Sequence, residues 1–189
     1  VAMLSIILTG AALIREQEHG TIKHLTVMLV TVFEIMLAKV LSMSLVVLLA
    51  AFLGLKVVVQ GALQVPIEGS LLLFFFGALL TLFATTSMGI YMATVSKSMP
   101  QFGLLMMLIL IPLQMLSGAS TPRESMPEII QNIMLIATTM HFVTLAQAIL
   151  YRNAGLDVVW PSFLWLIAIA TTFFYVSWKR FKNTIHTMA

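Results

Sequence analysis

Residues 69–96 read GSLLLFFFGALLTLFATTSMGIYMATVS, and none of these side chains carries a charge. A transmembrane α-helix needs roughly 20 consecutive apolar residues to cross the hydrocarbon core of a bilayer, so this run is long enough on its own. It lacks the strict alternation of apolar and polar residues that a membrane β-strand shows. The run therefore predicts a membrane-spanning α-helix.

The rest of the chain contains further runs of the same kind. Uncharged stretches cover residues Ser98–Pro122, Ile129–Tyr151 and Val158–Trp178. Another, Val40–Leu55, becomes long enough if the helix continues to Gln60 and Lys56 extends its ammonium group to the membrane surface. Only 9% of the 189 residues are charged, against about 25% in soluble domains, and the mean hydropathy is +1.06. We therefore expect an all-α polytopic membrane protein.

Composition and motifs argue against several functions. The chain has no cysteine and so no disulfide, thiolate nucleophile or cysteine-ligated metal. Its net charge of +3 is small and its basic residues lie mostly beside the ends of apolar runs, so we expect no nucleic-acid partner. His19 and His24 are about 140° apart around a helix and do not share a face as a metal-binding pair would. No GxxxxGK[ST] loop is present, so the chain cannot bind ATP by that route.

The apolar run at the start of the chain is short. Val1–Ile14 would form about 21 Å of helix, whereas the hydrocarbon core is about 30 Å thick. We therefore expect the first span to be truncated, and residues 1–189 to form a single transmembrane domain that is a fragment of a longer protein.

The basic residues predict the orientation, because Lys and Arg concentrate on the cytoplasmic side of membrane proteins. Segments 15–39, 96–101 and 179–189 contain seven of the ten Lys and Arg residues, and we place these segments inside. About five spans then connect them, the first of them truncated. The expected bounds are Val1–Ile14, Phe33–Gln60, Gly69–Val95, Phe102–Leu116 and Val159–Trp178.

The run Ile129–Tyr151 is long enough for a sixth span, but a further crossing would place the basic C-terminal segment outside. It also contains many polar side chains for a lipid-facing helix. We expect instead a pair of short re-entrant helices on the outer face, where protein rather than lipid surrounds the irregular backbone. His141, Thr144 and Gln147 recur every three residues and predict one polar face for the second short helix.

Three glycines within the apolar runs are candidates for close helix contacts: Gly77, Gly89 and Gly103. Small residues at membrane helix interfaces let two backbones approach each other closely. We therefore expect these glycines to have a packing role.

The longest polar stretch is REQEHGTIKHLTVM, Arg15–Met28, in the first cytoplasmic segment. Gly20 interrupts it and is expected to end the preceding helix. After this glycine, apolar residues recur with helical spacing and predict a short amphipathic helix. These residues are Ile22, Leu25, Met28 and Leu29. The short helix could lie on lipid headgroups, belong to a solvated linker, or serve as the contact for a soluble partner.

Motifs in two parts of the chain match one protein family. Glu18, Gly20 and Thr21 form E-x-G-T, while Thr31 and Glu34, which also have capping-box spacing, match two positions of a later T-P-x-E motif. This pattern resembles the cytoplasmic loop of ABC-2 type transporter permeases, particularly the inner-membrane subunits of bacterial drug exporters. The segment before the last apolar run is similar to the outer-face segment of that family. It contains Leu116-Ser117-Gly118, Thr121–Pro127, Thr139-x-His141 and Gln147.

The resemblance implies a coupling helix at about Thr21–Val30 that docks in a groove of a nucleotide-binding ATPase subunit. It assigns to this coupling the residues Glu18, Gly20, Thr21, Ile22, Leu25, Met28, Thr31 and Glu34. It assigns to the outer-face re-entrant segment the residues Pro122, Glu124, Pro127, His141 and Gln147. No residue is expected to be catalytic or to bind a metal, and ATP and Mg²⁺ are expected on the partner subunit.

The resemblance also implies a bacterial inner membrane, a second permease in a homodimer or heterodimer, and upstream parts absent from this sequence. Those parts are the family's first span, an amphipathic helix and a large extracytoplasmic domain. The predicted function is that of a permease subunit of an ABC exporter, which moves a substrate outward with ATP hydrolysed by the partner. Two alternatives stay open. One is an ion-gradient-driven transporter or channel, which would need acidic residues or broken helices at the membrane midplane; the other is a non-transporting or truncated membrane assembly protein.

Overall fold

The computed structural model describes residues 2–19, 31–57, 69–96, 98–115, 138–152 and 154–188. Helices account for nearly all of these residues, and no strand occurs among them. In chain order the helices are α1 (Ala2–Glu18), α2 (Val32–Gly54), α3 (Leu71–Val95), α4 (Met99–Met115), α5 (Thr138–Arg152) and α6 (Leu156–Met188). The prediction of an all-α chain is confirmed.

Three of the helices are long and apolar enough to cross a membrane. The qualifying segments are Val32–Val57, Leu71–Val95 and Leu156–Asn183. Met99–Pro112 in α4 and Thr138–Leu150 in α5 are shorter apolar helices, and the 15 residues of α5 span only about 22 Å. The polytopic prediction is confirmed, while the number of crossings stays a prediction.

The helix ends follow local sequence signals. The first helix ends at Glu18, just before Gly20, where the glycine was expected to stop it. The second begins after Thr31, the first residue of the predicted capping box. In α4, Pro112 lies inside the helix, where its missing N–H removes one bond of the regular hydrogen-bond ladder.

The third helix is central and contacts each of the other five. Buried apolar side chains form two clusters around it. One joins its second half to α1, the start of α2, α4 and the later part of α6, with Ile6, Leu13, Met36, Ile90, Phe102 and Phe181 among its members. The other joins its first half to α5, the end of α2 and the early part of α6, with Leu55, Phe74, Leu145, Ile149, Phe163 and Leu166.

The backbones of α1 and α3 approach each other closely beside the first core cluster. A Cβ atom at Gly89 would lie 2.8 Å from the backbone oxygen of Ile6, which is closer than ordinary contact. Gly77 is also closely covered, by the side chain of Leu145 at 2.7 Å. Both confirm the expected packing role. The same expectation for Gly103 is wrong for the described part of the chain, because none of its atoms lies within 4 Å of the Gly103 Cβ position.

Buried hydroxyl groups add polar contacts between the helices. Thr86 Oγ1 of α3 lies 2.6 Å from Ser5 Oγ of α1 and 3.3 Å from Ser44 Oγ of α2. Ser177 Oγ of α6 donates to the Ser87 carbonyl of α3 at 2.6 Å. Hydrogen bonds of this kind join helices where lipid offers no polar alternative. The hydroxyls therefore connect α1, α2 and α6 to the central helix.

The outward side of the bundle is apolar along every long helix. Large hydrophobic side chains that are more than half exposed include Leu45, Leu53, Leu72, Leu104, Leu108, Val158 and Leu164. Soluble monomers rarely expose contiguous apolar surfaces of this extent. This outer surface is therefore suited to contact with lipid acyl chains.

Candidate functional site

The three segments that the charge distribution places in the cytoplasm include residues that meet at one end of the bundle. The end of α1 reaches the start of α4 through Glu18 and Met99. The ring of Phe33, at the start of α2, packs edge-on against Phe174 and Trp178 of α6, with centroids 5.6 and 6.3 Å apart. We call residues 15–19, 31–39, 98–101 and 178–183 the polar end. The side of the membrane that this end faces stays a prediction.

An ion pair joins α1 to α2 at the polar end. The Lys39 ammonium donates to Glu16 Oε1 at 2.6 Å and also contacts Oε2 of the same carboxylate. Both side chains are partly buried, so water screens the pair less than it would on an open surface. Because Glu16 precedes residues 20–30 and Lys39 follows them, this contact closes the base of that connection.

Glu18 joins α1 to α4. Its Oε1 accepts a hydrogen bond of 3.1 Å from the backbone N–H of Met99, the first residue of α4. Next to it, the ring of His19 turns back onto its own helix, with Nδ1 2.7 Å from the Arg15 carbonyl oxygen. The first N–H groups of a helix lack partners within that helix. The Glu18 carboxylate supplies one of these missing partners from a different helix.

Thr31 and Glu34 form the predicted capping box at the start of α2. The Glu34 N–H donates to Thr31 Oγ1 at 3.3 Å, and the Thr31 N–H donates to Glu34 Oε2 at 2.8 Å. The Thr31 hydroxyl donates to that same oxygen, also at 2.8 Å. Two otherwise unpaired backbone donors are thereby satisfied. The capping-box prediction is confirmed, and it fixes the point where the chain enters α2.

An open cavity of about 370 Å³ lies against the last turns of α1. Its described lining consists of Ala12, Arg15, Glu16 and His19. The cavity is thus an open recess beside the Glu16–Lys39 ion pair, at the point where the chain leaves α1.

The structure describes only some of the expected site residues. It brings Glu18, Thr31 and Glu34 to the polar end. The other expected coupling residues, Gly20, Thr21, Ile22, Leu25 and Met28, lie outside the described residues, as do Pro122, Glu124 and Pro127 of the outer segment. The coupling helix at Thr21–Val30 and the first short re-entrant helix therefore stay predictions.

The two described residues of the outer segment lie on α5, in the half of the bundle away from the polar end. His141 is buried, and its ring stacks on Trp165 at 5.9 Å with 11° between the planes. Thr144 and Gln147 are exposed. The prediction of one shared polar face is therefore wrong. Positions six apart on a helix differ by about 120° in direction, so His141 packs against α6 while Gln147 points away.

Sequence reasoning missed the two carboxylate contacts made by Glu16 and Glu18. A local signal was present, because acidic side chains in the last turn of a helix lie next to the negative end of its dipole. Such placement is unfavourable within the helix itself. In this fold, neighbouring helices compensate both carboxylates. Lys39 of α2 pairs with Glu16, and the Met99 N–H at the start of α4 donates to Glu18.

Comparison with known proteins identifies the family. The family model described as ABC-2 type transporter matches residues 1–151 of this chain. The chain belongs to the ABC-2 type transporter family. The resemblance found in the sequence motifs is therefore confirmed.

Relatives of this ABC-2 chain include proteins named as permeases. It is 61% identical over all 189 residues to the inner membrane transport permease YhhJ of Escherichia coli (strain K12), and equally to that of Shigella flexneri. These residues make up 50% of those proteins, so the chain spans about half their length. It is also 28% identical over 97 residues, 51% of this chain and 26% of the relative, to the probable multidrug ABC transporter permease YbhR of Escherichia coli (strain K12).

The relatives and the helices together locate the protein. Two relatives carry the words inner membrane in their names, and three described helices are long and apolar enough to cross a bilayer. The ABC-2 chain is thus a multi-pass protein of the bacterial inner membrane, as predicted.

Proposed function

We propose that the chain is the membrane-spanning part of a permease subunit of an ABC exporter. The complete subunit moves a substrate outward across the inner membrane, with ATP hydrolysed on a separate nucleotide-binding subunit. Membership of the ABC-2 family and the names of the YhhJ and YbhR relatives support this proposal. ATP and Mg²⁺ bind the partner subunit, and this chain performs no chemistry.

The observation that carries the proposal is the anchoring of the connection between α1 and α2. Its first end is fixed by the contacts of Glu16 and Glu18, and its second end by the capping box of Thr31. A displacement of the connection would act on α1 and α2 through these anchored ends. Residues 20–30 are therefore well placed to pass on the movements of a partner subunit.

In this mechanism the ATPase subunit binds the apolar stripe that is predicted between the two fixed ends of the α1–α2 connection. Ile22, Leu25 and Met28 provide the apolar contact, and Gly20 and Thr21 provide the break before it. Glu18, Thr31 and Glu34 hold the ends of the segment. Two permeases enclose the transport path, and movement of the bound ATPase subunits shifts their helices as rigid bodies.

The test is the retention of the ATPase subunit by the full-length permease. Leu25→Asp places a charge on the predicted apolar stripe, and Thr26→Asp places the same charge beside it. We expect the ATPase subunit to co-purify with wild type and Thr26→Asp but to be lost from Leu25→Asp, because burying an unpaired carboxylate in an interface is strongly unfavourable. Equal retention by both variants would contradict the proposed contact.

A second measurement tests the side of the membrane. In a full-length permease from which all other cysteines have been removed, single cysteines placed at positions 19–28 should react with a membrane-impermeant maleimide from the cytoplasmic side only. Labelling of these positions from the outer side of intact cells would rule out contact with a cytoplasmic ATPase.

A further inference from the structure

The placement of Glu18 is unfavourable within its own helix. It is the last residue of α1, where the helix dipole repels a negative charge. Its carboxylate is directed instead to the first backbone N–H of α4. A negative charge at a helix N-terminus is favourable for the same electrostatic reason, so the tertiary contact explains the location of this residue.

The start of α4 relies on this external charge. The first turn of α4 contains no acidic residue of its own. Its second residue is Pro100, which has no N–H, and the Phe102 N–H is already paired with the Ser98 carbonyl at 3.0 Å. The Glu18 carboxylate, 81 positions earlier in the chain, therefore provides both a hydrogen-bond acceptor and a compensating charge.

Within the described residues, the fourth helix packs mainly on one side. Its main contacts are with α1 and α3, including the Phe102 ring, which covers Gly10 of α1. Its opposite side is exposed at Leu104, Met107 and Leu108. The Glu18 hydrogen bond adds a polar contact between α1 and the first residue of this helix.

We propose that Glu18 is a positioning residue that makes α4 follow α1 when the polar end is displaced. This inference rests on the proposed function, since the displacement comes from the ATPase subunit. Glu18 then acts within its own chain. Its carboxylate transmits movement of the α1–α2 connection to α4, which is not adjacent to this connection in the sequence.

The experiment measures the movement of α4 directly in the full-length permease with its ATPase subunit. One pair of spin labels at Leu108 in α4 and Leu164 in α6, both exposed, reports α4. A second pair at Leu4 in α1 and Leu164 reports α1. Pulsed electron paramagnetic resonance compares the nucleotide-free complex with the complex trapped by ATP and vanadate.

We expect both label pairs to shift together in the wild-type complex. In Glu18→Gln, the α1 shift should remain, while the ratio of shifted to unshifted α4 falls about two- to fivefold with the loss of the charge–dipole attraction. Asp157→Asn is the matched control. It removes a carboxylate from the first turn of α6, away from the polar end, and should leave both shifts unchanged.

A double variant separates positioning from simple helix capping. Glu18→Gln with Ser98→Asp gives α4 its own N-terminal carboxylate but does not restore the link to α1, so the α4 shift should stay low. Recovery of the wild-type shift in this variant would overturn the proposal, because Glu18 would then only cap the helix.

The remaining outcomes are also decisive. An unchanged α4 shift in Glu18→Gln, with the ATPase subunit bound normally, would contradict this inference and leave the proposed function intact. A wild-type complex in which α1 moves without α4 would also contradict this inference and leave the proposed function intact. Failure of the ATPase subunit to co-purify with wild type would contradict the proposed function itself.

Discussion

Substitution of Gly89 by alanine tests the close backbone approach of α1 and α3. Gly89 lies on the central helix α3, where a Cβ atom would come within 2.8 Å of the Ile6 backbone oxygen and 3.2 Å of its Cα. Ordinary contacts of a Cβ begin at about 3.4 Å. The nearest atoms belong to the backbone of α1 and cannot rotate away as a side chain can. The whole of α1 must therefore shift to admit one methyl group.

The energetic effect has two opposing parts. Alanine is favoured over glycine inside a helix by about 1 kcal/mol, and overpacking of a filled interior costs about 1–3 kcal/mol. Gly103→Ala gives the first part alone, because no described residue lies within 4 Å of a Cβ at Gly103 of α4. The free energy of unfolding should therefore be lower for Gly89→Ala than for Gly103→Ala by about 1–3 kcal/mol.

The assay is unfolding of each purified variant in mixed micelles titrated with sodium dodecyl sulfate, followed by circular dichroism. We expect Gly103→Ala to unfold at or above the wild-type midpoint and Gly89→Ala below it. Equal midpoints for the two alanine variants would refute the close approach of α1 and α3. A loss of stability in Gly103→Ala would refute the assignment of that position to an open, lipid-facing surface.

Three further predictions use the same unfolding assay. Thr86→Val removes the hydroxyl that contacts both α1 and α2. It should cost about 1 kcal/mol of unfolding free energy, given about 0.6 kcal/mol per hydrogen bond between membrane helices. The control Thr172→Val removes an exposed hydroxyl that donates to its own helix and should cost less. A double-mutant cycle of Glu16→Gln and Lys39→Met should give a coupling energy of about 0.5–1 kcal/mol, and zero coupling would contradict the ion pair. Leu145→Ala empties a fully buried position and should cost about 2–5 kcal/mol; a loss below 1 kcal/mol would contradict its packing over Gly77.

The extent of the helices was predictable because membrane and backbone impose strong local rules. An uncharged run of sufficient length can satisfy its backbone in lipid only as a helix or in a closed barrel, and the run at residues 69–96 became α3. The ends were predictable where a polar side chain competes for a terminal N–H or a glycine stops the helix. Thr31 and Gly20 are such positions, and α2 and α1 begin and end beside them.

The packing of those helices was less predictable, because lipid and protein interior are both apolar. Gly89 and Gly103 lie in similar apolar runs, yet one contacts a neighbouring backbone and the other faces open space. The same ambiguity applies to α5, where spacing alone suggested one polar face and the fold buries His141 against Trp165 instead. Hydrophobicity does not distinguish a lipid-facing side from a helix-facing side when the solvent itself is hydrocarbon.

Polar residues in locally unfavourable positions indicate which helices pack together, whereas apolar residues in this chain do not. Glu16 and Glu18 both oppose the dipole of α1, and each is compensated by a group on another helix, Lys39 on α2 and the Met99 N–H on α4. Disagreement between a residue and its local structure indicates a contact elsewhere or a functional requirement. For this chain the two possibilities coincide, because both contacts lie where the connection to a partner subunit is proposed. The acidic end of α1 is therefore better explained as a junction of α1, α2 and α4 than as the solvated start of a loop.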